Sequence, residues 1–316
     1  MEIHYGRKRR GIQKELRDKI EDWLDSITDD DVVKAIKKDV IVTGGSIASM
    51  LLGEKINDFD VYFRTKQTTK LVAQYYVNKF KEANTLKVGE NVNDIEMYVN
   101  EFQAPNCKGE VEDRIAIYIK SAGVVAEGMG VYEYFESKSQ QELENFSETL
   151  LNDVAENDGK EKYRVVFMSD NAITLSHKIQ IIVRFFGEPE VIHSNYDFVH
   201  AMNYYEYGSN NLVLKPQALE CLLSRTLLYV GSLYPIASIF RMKKFIERGW
   251  RISAGQQLKI MWQINELNLK DMHVIREQLV GVDMAYLHQV ISCLNDVDAE
   301  KINSAYISEI IDRIFD

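Results

Sequence analysis

The sequence predicts an α+β fold, a head built on a mixed sheet followed by an all-helical C-terminal domain. Three observations carry this. β-branched runs such as DVIVT (39–43) and IQIIVRF (179–185) alternate with helix-spaced apolar residues through the first part of the chain. A Gly-Gly-Ser turn joins one of those strands to a short apolar helix. Beyond Pro216 strand signals stop and three- and four-residue apolar spacing continues to the end. The break at NNLVLKP divides the chain into a head, 1–215, and a helical domain, 216–316.

Ile12, Leu16, Ile20, Trp23, Leu24 and Ile27 form one apolar stripe and predict a first helix after the basic run Arg7–Arg10. Thr28 or Asp29 can cap a second helix through Val33 and Ile36. DVIVT reads as a buried strand, Ile47–Leu52 as a short helix, and Gly53 as its stop. NDFDVYF (57–63) reads as a second strand and 66–82 as another helix. Further strands are expected at Ile95–Val99, Ile115–Ile119, Tyr163–Met168 and Ile179–Phe185. The polar, acidic stretch 137–162 reads as a helix ending in a loop.

With 46% hydrophobic and 27% charged residues, the chain is neither disordered nor fibrous. Its net charge of -10 excludes a non-specific grip on nucleic acid by the whole surface and leaves only a local basic patch for that purpose. Cys107, Cys221 and Cys293 are odd in number and form no CxxC pair, which argues against structural zinc or a disulfide framework and for a reducing compartment. With no secretory signal and no apolar run of membrane-spanning length, a soluble cytoplasmic protein is expected.

The chemistry concentrates in VTGGSIASMLLGEKINDFDVYF (42–63). Side chains alternate along a strand, so Asp58 and Asp60 share a face and repel unless a cation sits between them. Their hard oxygens suit Mg²⁺, which takes one or two carboxylates together with substrate phosphates. Gly44, Gly45 and Ser46 bring bare N–H groups to the start of a helix, a ready anion site. Metal-binding carboxylates beside a phosphate cradle point to phosphoryl or nucleotidyl transfer.

These residues resemble a known signature. Gly44-Gly45-Ser-Ile-Ala-Ser-Met-Leu51-Leu52-Gly53 followed by Asp58-Phe-Asp60 is similar to the head motif of class II tRNA nucleotidyltransferases and bacterial poly(A) polymerases, GG-x-V-R-D-x-L-L-G then D-x-D. Tyr196-Asp197-Phe198 with the residues to Tyr205 is similar to the family's R-D-F-T-I-N-A segment, and Phe240-Arg241 through Trp250 to its R-x-x-R-F helix. IQIIVRF and FVHAMNYY together resemble phage-encoded relatives. The resemblance implies a β-polymerase-like nucleotidyltransferase head with a helical neck and body, and a two-Mg²⁺ site on Asp58 and Asp60. It also implies triphosphate contacts from Gly44, Gly45 and Ser46, and nucleotide contacts from Asp197, Arg241 and Lys244. Two departures stand out. Ala48-Ser49 replaces the family's R-D pair, and Leu233–Ser238 replaces its E-D-x-x-R template, so these side chains cannot read a base edge in the family's way. That argues against CCA addition in particular.

A third carboxylate commonly completes such sites from a neighbouring strand, and Gln180 is what IQIIVRF offers. Gln is a poor base and a weak metal ligand. Arg184 fits a phosphate contact and an ion pair about equally well. His193 and His200, flanking Asp197, fit structural hydrogen bonding better than catalysis. Arg241, Lys244, Arg248 and Arg251 fall at helical spacing and would make one cationic row. Tyr204, Tyr205 and Tyr207 fit a core or its rim better than a stacking site. Two functions follow. One is a metal-dependent nucleotidyltransferase that moves a nucleoside monophosphate from an NTP to an acceptor hydroxyl with loss of pyrophosphate. Its acceptor is best matched by an RNA end, tRNA-like or another 3′ end, with a small molecule or a protein as the other choices. The other is a nucleotidyltransferase-like binding or structural protein, such as a phage component, that has lost turnover.

Overall fold

The computed structural model describes residues 6–88, 96–106, 109–119, 124–126, 132–134, 162–269, 271–278 and 309. The stretch 137–161, Cys107, Cys293 and everything between 279 and 308 lie outside the described residues.

The chain opens with α1 (Arg9–Leu24) and α2 (Asp30–Asp39). Every apolar residue of the predicted α1 stripe is buried, and the Asp29 carboxylate caps α2 by accepting from the Asp31 and Val32 N–H groups. The basic N-terminal run is tied down: Arg7 pairs with Glu15 and Arg9 Nη2 donates to the Leu212 carbonyl at 2.8 Å. Next come β1 (Val40–Thr43), α3 (Gly45–Leu52), β2 (Phe59–Phe63) and the long helix α4 (Lys66–Val88). Gly53 stops α3 in the left-handed conformation, φ 71°.

A hairpin follows, β3 (Met97–Pro105) and β4 (Val111–Ile119), much longer than the two strands expected there. Among the described residues β3 and β4 pair with each other in a separate two-stranded sheet, and the Ile117 N–H reaches the Asp170 carbonyl. Then come β5 (Val124–Ala126), β6 (Tyr132–Tyr134), β7 (Val165–Met168), β8 (Ala172–Leu175) and β9 (Ile179–Ile182). The short helix α5 (Pro189–His193) leads through a 3-10 turn at Val199–Ala201 to β10 (Tyr204–Glu206) and β11 (Asn211–Val213).

Nine strands form one mixed sheet in the order β11-β10-β1-β2-β9-β8-β7-β5-β6. Every adjacent pair is antiparallel except β2 and β9, which run parallel with Asp60 opposite Gln180. One face packs on α1, α2 and α4 through Val40, Val42, Phe59, Val61, Phe63, Ile179 and Ile181. A buried hydrogen bond of 2.6 Å from Trp23 Nε1 to the Tyr76 hydroxyl locks α1 to α4 beneath it. The alternate residues therefore point to the other face, and there they make a polar row at one level: Tyr204, Thr43, Asp60, Gln180 and Thr174 on five successive strands.

The remaining described elements are α6 (Pro216–Ser224), β12 (Thr226–Leu227), α7 (Pro235–Glu247), β13 (Arg251–Ile252), α8 (Ala254–Asn265) and α9 (Met272–Gln278). This part is not all-helical as expected. Arg225 ends α6 at φ 47° and Gly249 turns the chain at φ 82°, so Arg251 N–H reaches the Arg225 carbonyl and β12 and β13 pair in parallel. Two-residue strands leave no periodic signal in a sequence. A second core joins Ala48 of α3 to Phe198, Leu222, Leu227, Tyr229, Trp250 and Ile260. Position 48, charged in the resembled family, is thus an apolar contact between head and neck.

Candidate active site

The Val42–Phe63 segment folds as its residues dictate. β1 runs into Gly44, whose φ of 95° and ψ of -154° suit glycine alone, and α3 starts at the next residue. Gly44 N–H donates to the Ala201 carbonyl at 3.1 Å, pinning the turn to the 3-10 segment beside Asp197. A Cβ at Gly44 would collide with Asp60 Oδ2, so the turn backbone lies directly against that carboxyl group. A Cβ at Gly45 would meet open space. The Ser46 hydroxyl is buried and has no hydrogen-bond partner among the described residues.

Asp60 is half-buried on the polar face of the sheet, and Asp58 is exposed just ahead of β2. Burial, then the charge of Asp58, push the Asp60 carboxyl well above the ordinary range, while Arg241 pulls the other way. The two acids are therefore close enough to repel, as their spacing predicts. Arg241, on α7, donates from Nη1 to Asp197 Oδ2 at 2.7 Å, and Asp197 Oδ1 accepts from the Phe198 N–H. The three predicted residues Asp60, Asp197 and Arg241 are thus brought together from β2, the 3-10 segment and the neck. Lys244 lies one turn further along α7 and is half-buried.

Gln180 stands beside Asp60 in the parallel ladder. Among the described residues no group of three or more His, Cys, Asp or Glu is placed to hold a metal ion. A divalent ion such as Mg²⁺ nonetheless fits two mutually repelling hard-oxygen donors, one of which, Asp60, lies against the turn that opens α3. Asp58 and Asp60 would hold it. Bound there, it would polarise phosphoryl oxygens and favour the ionised form of an attacking hydroxyl.

Arg184 is directed elsewhere. It is 5% exposed, 2.6 Å from Glu112 Oε1, and donates to the Tyr234 hydroxyl at 3.2 Å. Of its two sequence readings the ion pair is what the fold builds, with Arg184 buried and Glu112 half-buried. The cationic row on α7 is also broken. The helix ends at Glu247, Arg241 turns to Asp197, and Arg251 sits on β13 with its Nη2 on the Ser224 carbonyl.

His193 is structural and its tautomer can be deduced. Lys215 Nζ, which only donates, lies 3.0 Å from Nδ1, so Nε2 carries the proton and donates to Thr43 Oγ1 at 2.8 Å. Thr43 then donates to the Asn203 carbonyl at 2.9 Å. Burial and Lys215 push the His193 pKa down to about 4. Burial does the same to His200, boxed by Phe245 and Trp250, with Asp197 opposing. Tyr205 belongs to the core and Tyr204 to its rim. Sequence reasoning missed Thr43, which stands opposite Asp60 on the neighbouring strand and holds His193 and the Asn203 carbonyl. Its signal is its place at the strand end immediately before the double glycine.

Fold and site together define an α+β protein whose mixed sheet presents paired aspartates against a glycine-led helix. Residues 14–225, more than half of the chain, match the Gabija anti-defense 2 family, and the chain belongs to that family. No curated protein matches it. Among solved structures it is similar to the Thermotoga maritima CCA-adding enzyme complexed with tRNA, at 12% identity and TM-score 0.35, over 93% of this chain and 68% of that one. It is similar to a CCA-adding enzyme with ATP, at 12% identity and TM-score 0.34, over 95% of this chain and 68% of the other. For a CCA-adding enzyme with CTP the values are 12% and 0.32, over 93% of this chain, which spans about half of that structure (54%). No helix among the described residues is long and apolar enough to cross a membrane.

Proposed function

We propose that this protein is a Mg²⁺-dependent nucleotidyltransferase that moves a nucleoside monophosphate from an NTP to an acceptor hydroxyl, an RNA end, and releases pyrophosphate. The observation that carries the reading is the contact between the Gly44 turn and the Asp60 carboxyl, with Asp58 alongside. It sets the anion-binding end of α3 against the residues that attract a metal ion. Gly44, Gly45 and Ser46 receive the triphosphate, Asp58 and Asp60 the metal ions, and Arg241, held by Asp197, with Lys244 lines the nucleotide side. The buried, unpartnered Ser46 hydroxyl supports a phosphate oxygen as its partner. Membership in the Gabija anti-defense 2 family supports placing this activity in a phage that counters the Gabija defence inside its host.

A second reading, a binding protein without turnover, is favoured by Gln180 beside Asp60 and by apolar Ala48 packed in the second core. One experiment separates the two. Purified protein with Mg²⁺ and α-labelled NTPs transfers label to RNA on the first reading, and Asp58→Ala with Asp60→Ala abolishes the transfer. On the second reading calorimetry detects Mg²⁺–NTP binding, and no label moves.

A further inference from the structure

A basic cluster lies at the end of the sheet where β2, β7 and β9 begin. Lys19 comes from α1, Lys162 and Arg164 from the approach to β7, and His177 and Lys178 from the turn between β8 and β9. The carboxylate among them, Asp22, is already engaged by Lys162 Nζ and by the Tyr163 hydroxyl, each at 2.8 Å. Lys19, Arg164, His177 and Lys178 have no ion-pair partner among the described residues. On a chain of net charge -10 this is an uncompensated positive patch. Its potential is felt within it: burial and the neighbouring lysines lower Lys19 to about 8 against the pull of Asp22, and burial followed by Lys19 lowers His177.

The patch adjoins the aspartates. Lys178 Nζ donates to the Ile56 carbonyl at 2.8 Å, two residues before Asp58. Lys19 Nζ sits 5.5 Å from the ring centre of Phe59, on the helix-packed side of the β2 start, with Asp60 on the opposite face. The backbone is also forced into shape here. Tyr163, His177 and Lys178 hold left-handed φ of 56°, 62° and 67°, which bulky residues rarely adopt.

We infer that this basic end of the sheet binds the sugar-phosphate backbone of a single-stranded RNA acceptor and leads its end toward Asp58 and Asp60. The inference rests on the proposed nucleotidyl transfer for its purpose, but the RNA-binding surface stands or falls separately. Lys19, Arg164 and Lys178, cations without an ion-pair partner among the described residues and carried on three elements, match a chain of phosphates better than a single small anion.

The test uses the full chain, a fluorescein-labelled 20-nucleotide single-stranded RNA and anisotropy across a salt series, with melting curves to confirm folding. Lys19→Gln with Arg164→Gln is expected to weaken binding at least tenfold at 0.1 M salt. It should also reduce the slope of log K against log salt by about 1.4, the loss of two phosphate contacts. Lys19→Arg with Arg164→Lys, which keeps the charges, should bind as the wild type does. Calorimetric binding of Mg²⁺–NTP should be the same in all three proteins. Wild-type protein that does not bind the RNA, or an affinity unmoved by the double Gln change, overturns the inference. RNA binding that depends on the patch while Mg²⁺–NTP is not bound upholds the patch and overturns the nucleotidyl-transfer reading instead.

Discussion

Gly44 and Asp60 are in contact across the β1–β2 edge, with no room for a side chain between the turn and the carboxyl oxygen. Gly44→Ala would meet two obstacles, that collision and a φ of 95°. The expected outcome is a loss of about 1–3 kcal/mol in stability, read by urea denaturation. Mg²⁺–NTP binding should fall more than stability does, because relief of the clash displaces Asp60. Gly45→Ala, with open space around its Cβ, should cost far less on both readings.

Gln180 beside Asp60 gives a gain-of-function test. Gln180→Glu places a third carboxylate next to the pair. Tighter Mg²⁺ binding in calorimetry is expected, together with a higher rate of label transfer. An unchanged affinity for Mg²⁺ would show that the side chain at 180 does not reach the ion.

Asp197 is buried and takes its ion-pair hydrogen bond from Arg241. Arg241→Met leaves that carboxylate without its counter-charge and is expected to destabilise the protein by about 3 kcal/mol. Asp197→Asn with Arg241→Met should recover much of the loss. A double-mutant cycle by thermal or urea melts measures the coupling, and additive losses would deny it.

His193 and His200 make stability fall with acid. Both have folded pKa values near 4 against about 6.5 unfolded. Between those values the unfolded chain binds protons that the folded one refuses, so the contribution of these two residues is full above pH 6.5 and is lost as pH drops toward 4. The slope is about 1 kcal/mol per pH unit for each group. Urea midpoints at pH 7.5, 6 and 4.5 test this, and His200→Phe should flatten the curve.

Much of this arrangement was legible in the sequence, and the limits are instructive. The stripe of α1, the Asp29 cap, the Gly53 stop and the alternation of Phe59, Val61 and Phe63 against Asp58, Asp60 and Tyr62 all follow from local periodicity. The Gly44–Ser46 turn and the two acids were legible for the same reason, being close in sequence. Arg184 was not, because its partner Glu112 lies on a hairpin whose position no local pattern encodes. Nor was β8, whose residues Ala172–Leu175 are too short and too mixed to stand out. The row of cations after Arg241 failed at Gly249, where a single left-handed residue ends the helical register.

The seam between β2 and β9 has a consequence for biosynthesis. It joins Phe59–Val61 to Ile179–Ile181, so a long intervening stretch must emerge from the ribosome before Asp60 acquires its neighbour. Until then β2 is an unprotected edge, open to mispairing with other nascent chains. Slowed translation after codon 182, or a chaperone that shields this edge, should therefore raise the yield of competent protein more than lower temperature alone.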